Sequence, residues 1–348
     1  MIVWILILIL LSLGKASFCK KGITQYYISR EGTDAVRGIF ILLILASHFV
    51  QYVPALTLPV DTYYLRLRTF LGQFVVSMFL FYSGYGVTLS FAEKGEKYRK
   101  SFLKKRILNT LLVFDLAVVF YFIVQYELGN RYSLSDYLMA MTAWESIGNS
   151  NWYIFDILVL YFLSWITIKN CQRENAEQEI LLLTTGVLVF TQLLLCAKKE
   201  SWWYDTIFCY PLGAVFYYLR PAAEKILNKD FNYYLILLLT GVLFFIIHKI
   251  WEVHLVFYEM SALLFVIFVV LVTMKLEIRS HLLCLAGKHL NELYLVQRLP
   301  MILLGRVTYI KNHVYLYFVL SVFFAIIFAY LFGRLVDLLR GKMILYKT

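Results

Sequence analysis

The chain has 348 residues, 61% of them hydrophobic and 16% charged, with a formal net charge of +11. Soluble domains carry roughly 25% charged residues, so this composition excludes a soluble enzyme and a disordered chain. The five cysteines, Cys19, Cys171, Cys196, Cys209 and Cys284, stand far apart in or beside apolar runs, which excludes a secreted disulfide scaffold and makes each a small core hydrophobe.

A helix needs about 20 apolar residues to cross the hydrocarbon layer. In chain order such runs fall at 2–14, 36–53, 70–91, 107–126, 152–168, 180–197, 205–219, 232–248, 255–273, 281–303 and 314–333. They are continuous rather than alternating, which excludes a membrane barrel. The expected fold is all-α, a polytopic integral membrane protein of about ten core transmembrane helices plus an extra N-terminal helix. That extra helix, within 1–22, has no basic residue before it and Lys15, Lys20 and Lys21 after it. A secretory signal has the reverse charge order, so the first run is read as a helix whose N-terminus lies outside. The remainder, 23–348, forms one membrane domain with no internal repeat and no low-complexity tract.

Basic residues set orientation when counted in alternate loops. Of the 33 Lys and Arg, 23 fall in loops or toward run ends on the side of residues 92–106 and 9 on the other, with Lys288 left inside a run. The first side is therefore expected to be cytoplasmic, with both ends of the core there. The net positive charge reads as this bias plus attraction to anionic headgroups, and no nucleic-acid partner is expected.

Ionisable residues in or at the ends of spans are functional candidates by default, because burying charge in lipid is costly. The second run is the richest. Arg37 and His48 are 11 residues apart, about 20° beyond three full helical turns, and Asp34 lies within about 40° of the same line. The three form a polar stripe about 20 Å long. Asp34 can hold the guanidinium in place, and an imidazole deeper in the span can act as a general base near neutral pH. The plainer reading of the same spacing is a headgroup ion pair and an interhelical histidine bond. His254, Glu252 and Glu259 show no metal-ligand spacing, so no metal is expected. Serine elbow, phosphate-loop and dinucleotide glycine patterns are all lacking. Glu292, Gln297 and Arg298 are polar groups within the 281–303 run and candidates for lining a cavity. The aromatics Trp144, Trp152, Tyr153, Trp202, Trp203 and Tyr204 fall near the expected outer boundary, as an interfacial belt or, at Trp152, a surface for stacking a sugar.

The pattern Asp34-x-x-Arg37-Gly38, then ten residues from Arg37 to His48, resembles the opening helix of the acyltransferase-3 family of integral membrane O-acyltransferases. Further stretches agree in order: Phe79-Leu-Phe-Tyr-Ser83-Gly84-Tyr85, a basic loop ending Lys104-Lys105-Arg106, Asn151-Trp152 through Asp156 and Tyr161, Gly287-Lys288, and Tyr294-Leu295-Val296. Departures are Leu290 where the family usually has Ser, Gln297 where it has His, Asn109 where it commonly has Arg, and Ile157 where it often has Glu, with Asp156 adjacent. With these departures, the resemblance implies a divergent subgroup of bacterial surface-glycan O-acetyltransferases.

The resemblance implies a multi-pass protein of the plasma (inner) membrane that transfers acetyl from cytoplasmic acetyl-CoA, or another acyl-CoA, to a hydroxyl of a surface polysaccharide or lipid-linked glycan. It implies no permanently bound cofactor. His48, as base or as acyl relay, with Arg37 and Asp34 would be catalytic; Arg37, Lys105 and Arg106 would bind the donor; Ser83, Asn151, Trp152, Tyr294 and Gln297 would meet the acceptor. Membrane lipid, acyl-CoA and a glycan are the expected partners. The rival expectation is a transporter or flippase for a lipid-linked sugar or small solute, which many apolar spans with a few buried charges also describe.

Overall fold

A computed structural model describes residues 1–345 except Thr57 and residues 171–174. Cys171, Arg173 and Lys347 lie outside the described residues. The chain is helical almost throughout: α1 (Ile2–Leu13), α2 (Arg30–Phe49), α3 (Asp61–Leu71), α4 (Phe74–Phe102), α5 (Asn109–Glu127), α6 (Leu134–Met141), α7 (Trp152–Asn170), α8 (Ala176–Cys196), α9 (Cys209–Leu227), α10 (Asp230–His248), α11 (Leu255–Lys275), α12 (His281–Lys288), α13 (Leu290–Val296), α14 (Arg298–Leu304), α15 (Thr308–Asn312) and α16 (Val314–Leu345). Among the described residues, seven helical stretches are long and apolar enough to cross a membrane, and one of these, 74–127, comprises α4 and α5. The protein is thus an all-α, multi-pass membrane protein. Its outer surface is rich in exposed Leu, Ile, Val and Phe, as expected where lipid rather than water is the neighbour.

Three expected spans differ in detail. The 36–53 run is the apolar part of α2, which begins earlier because Ser29 caps it, its hydroxyl accepting from the Gly32 amide at 3.0 Å. The 205–219 run becomes helical only at Cys209 and continues through Pro221 to Leu227. The 281–303 run is three short helices, interrupted at His289 and Gln297 rather than forming one rod. α1 has only 12 residues; it lies against α2, where the Trp4 indole donates to the Leu42 carbonyl at 3.2 Å.

Glycines allow the closest helix pairs. A Cβ on Gly38 would stand 1.9 Å from the Leu283 carbonyl oxygen, and one on Gly287 1.8 Å from the Asp34 carbonyl oxygen, so α2 and α12 cross at backbone contact. Gly84 of α4 and Gly213 of α9 pair likewise, with the Tyr210 and Phe81 carbonyls at 2.0 and 2.2 Å from their Cβ positions. Small residues bring membrane helices together in this way. A two-residue strand, β1 (Ser17–Phe18), pairs antiparallel with β2 (Leu276–Glu277), tying the segment after α1 to the end of α11. Lys275, expected in a loop, is only 1% exposed and bonds Asp230 at 2.7 Å.

Candidate active site

α2 is unbroken between Arg37 and His48, so the two lie on one face with about 16 Å of helix rise between them. They occupy two different environments.

At the Arg37 end, Arg37 Nη1 donates to Asp34 Oδ1 at 3.2 Å, and the guanidinium lies 5.2 Å from the centre of the Tyr82 ring. The expected carboxylate partner is therefore in place. The Asp34 carboxylate also faces Arg30 at 4.0 Å. A shallow depression beside it is lined by Arg30, Glu31, Asp34, His281, Cys284 and Lys288.

At the other end, His48 lines a cavity of about 340 Å³ formed by the end of α2, the α3–α4 turn, the loop before α7 and the α13–α14 break. Gly72 makes the α3–α4 turn with φ of +45°, a conformation that favours glycine, and the adjacent Gln73 amide donates to the Tyr258 hydroxyl at 2.9 Å. The loop before α7 is held by its own Asn151 and by Gln125 of α5. Asn151 Nδ2 donates to the Ala143 carbonyl at 2.9 Å, and Gln125 Nε2 to the Ile147 carbonyl at 2.6 Å. Lys199 crosses over it, donating to the Trp144 carbonyl at 3.0 Å with its ammonium 3.9 and 4.4 Å from the Trp144 and Trp203 ring centres. The His48 Nδ1 is buried and has no hydrogen-bond partner among the described residues.

Of the residues expected to meet an acceptor, Asn151, Trp152 and Tyr294 line this cavity with His48. Ser83 lies instead beside Tyr153, deeper along α4. Gln297 is fully enclosed behind Tyr294, whose carbonyl accepts from its Nε2 at 3.3 Å. The two basic residues assigned to a donor separate: Lys105 is exposed, whereas Arg106 turns inward, its Nε donating to the Tyr98 hydroxyl at 3.2 Å and its guanidinium 5.7 Å from the Tyr161 ring centre. Arg298 lines the cavity, while Glu292 packs toward Gly333. Among the described residues no three His, Cys, Asp or Glu side chains converge as metal ligands would.

Arg68 was not legible as a site residue. It stands in α3, 20 residues from His48, yet its Nε donates to the Ser47 hydroxyl at 3.0 Å and it lines the same cavity. An arginine in a polar stretch between spans carries no local signal of this.

A polar pocket with a histidine at the end of a charged helix stripe can bind a hydroxyl compound and take up its proton. Comparison with curated proteins and with solved structures found no match. A family profile described as an acyltransferase domain matches residues 30–334, nearly the whole chain and both ends of the Arg37 to His48 stripe, and the chain belongs to the acyltransferase-3 family.

Proposed function

We propose that the protein transfers an acyl group, acetyl in the simplest case, from a cytoplasmic acyl-CoA to a hydroxyl of a surface polysaccharide or lipid-linked glycan at the plasma (inner) membrane of a bacterium. Membership of an acyltransferase family supports the reaction class. The observation that carries the residue assignment is that one straight helix holds Arg37 and Asp34 at one end and His48 in a polar cavity at the other.

In this reading the donor enters at the Arg37 end, where a guanidinium held by Asp34 meets its phosphates. The thioester reaches His48 along the α2 face. The Tyr82 hydroxyl, buried beside Arg37 without a partner among the described residues, is available to the donor's amide groups. The acceptor enters the cavity, with Trp152 as the surface for a sugar ring. His48 takes the hydroxyl proton as the oxygen attacks the thioester carbonyl; the carbon–sulfur bond breaks, and the leaving thiolate takes a proton. If His48 relays the acyl group instead, the imidazole nitrogen bears it between two such displacements.

The test is acyl incorporation from labelled acetyl-CoA by membranes containing equal amounts of wild type and His48→Ala. A loss of roughly 10²- to 10⁴-fold is expected. Undiminished incorporation overturns the assignment of His48, and uptake of a sugar or small solute without acylation favours the transporter. Acyl protein trapped by acid quench in wild type and missing in His48→Ala identifies the relay.

A further inference from the structure

The cavity at His48 has a charge pattern that a neutral sugar does not require. Arg68 and Arg298 both line it, and none of its lining residues is Asp or Glu. Neither guanidinium has a carboxylate partner among the described residues. Arg68 is held by its Nε on Ser47, and Arg298 by its Nε on Ser150 at 2.9 Å and by Nη1 toward the Tyr52 hydroxyl at 3.5 Å. Neutral hydroxyls thus orient both forks, and they leave terminal nitrogens of each without a partner among the described residues. A third donor points the same way: Asn149 is 5% exposed, lines the cavity, and its buried Nδ2 has no hydrogen-bond partner among the described residues.

Topology does not account for this pattern. The loops that supply the cavity belong to the side that has only 9 of the 33 basic residues, yet two of those converge on one histidine. An unpaired guanidinium in a half-buried site costs free energy unless a counter-charge completes it. The donor's phosphates are a poor candidate, because Arg37 and Asp34, where the donor is proposed to arrive, lie about 16 Å away along α2.

We infer that the His48 cavity takes an acceptor bearing an anionic group, a carboxylate or a phosphate close to the acylated hydroxyl, and that Arg68, Arg298 and Asn149 hold that group. Planar guanidinium forks match either oxyanion. The cavity volume of about 340 Å³ suits one or two sugar rings. The inference rests on the acyltransferase reading for the word acceptor, but anion binding can be measured without any transfer.

The test uses the full chain in phosphatidylcholine nanodiscs, titrated with D-galacturonate, inorganic phosphate and D-galactose, the first and last differing only at C6. The anions are expected to bind about tenfold more tightly than galactose, with the difference shrinking as salt is added. Arg68→Gln and Arg298→Gln should each remove most of that preference, and Arg68→Lys and Arg298→Lys should restore part of it. Arg66→Gln, outside the cavity, should leave the preference intact and shows whether any loss is local. Binding of galacturonate no tighter than galactose, or an anion preference that survives both Gln substitutions, overturns the inference. So does loss of the preference when phosphatidylglycerol replaces phosphatidylcholine, which would assign the guanidiniums to lipid headgroups. Acyl transfer is measured in parallel. Anion binding with no transfer to any sugar overturns the transferase reading alone, and transfer with no anion preference overturns this inference alone.

Discussion

Two neighbouring cations show how side-chain placement divides a motif. Lys105 and Arg106 look equivalent in the basic stretch, but on the helical turn Leu103–Leu108 Lys105 is solvated while Arg106 is folded against Tyr98 and Tyr161. A flexible ammonium in water contributes little beyond steering. Arg106→Gln is therefore expected to raise the KM for acyl-CoA about tenfold, with Arg106→Lys recovering little because the guanidinium plane is lost. Lys105→Gln should change it less than about twofold and only at low salt. Steady-state kinetics at two ionic strengths checks both. Legibility divides at this scale as well. Asp34, Arg37 and His48 were readable because helical periodicity places them on one line, and Trp152 and Tyr294 because they sit in ordered family motifs. Arg68 and Asn149 were not: Arg68 lies in α3, outside the apolar runs, where nothing local tells which helix it packs on, and Asn149 lies in the loop before α7, where no period links sequence position to direction. Gln297 was misleading: a polar residue inside an apolar run signals a buried partner as readily as a cavity.

At the scale of elements, the Arg37 end depends on how closely α2 and α12 approach. The carbonyls of Leu283 and Asp34 occupy the space that side chains on Gly38 and Gly287 would need. Gly38→Val is expected to force the pair apart at a cost of about 1–3 kcal/mol, lowering the thermal midpoint in detergent. It should also displace the Arg37–Asp34 pair, so that activity falls more than the loss of folded protein explains. Runs of apolar residues revealed that these helices exist; they did not reveal which glycines touch, because packing partners are remote in sequence. The strand pair β1–β2 escaped sequence reading for a related reason, having only two residues per strand and resting on Glu277. That carboxylate accepts from Thr24, from Ser17 at 2.7 Å and from Arg279 at 2.7 Å. Those contacts, the two hydroxyls foremost, hold Glu277 below the usual carboxylate range. A depressed carboxyl contributes stability above its unfolded pKa and loses it as pH falls through its folded value. Exchange protection of the Cys19 and Thr24 amides, which bond the Lys275 and Met274 carbonyls at 2.8 Å each, should drop on acidification within that window. Glu277→Gln should abolish the pH dependence, at a stability cost of less than about 1 kcal/mol.

For the whole molecule, everything proposed about donor and acceptor depends on which way the stripe points. The basic stretch 92–106, expected as a loop but helical, with a kink at Gly95 within α4, and the loop before α7 lie on opposite sides in the charge count, and the His48 cavity is built partly from the second. If positive charge stays inside, the Arg37 end meets cytoplasmic acyl-CoA and the His48 cavity meets a glycan from outside, so each substrate has its own entrance to one helix. Lys97 and Thr142 are exposed, one in each region. In a cysteine-free background, Thr142→Cys is expected to react with a membrane-impermeant maleimide on intact cells, whereas Lys97→Cys should react only after permeabilisation. The reverse pattern would present His48 to the cytoplasm. Donor and acceptor would then exchange entrances, and the paired arginines would face the cell's own phosphates rather than an external acidic glycan.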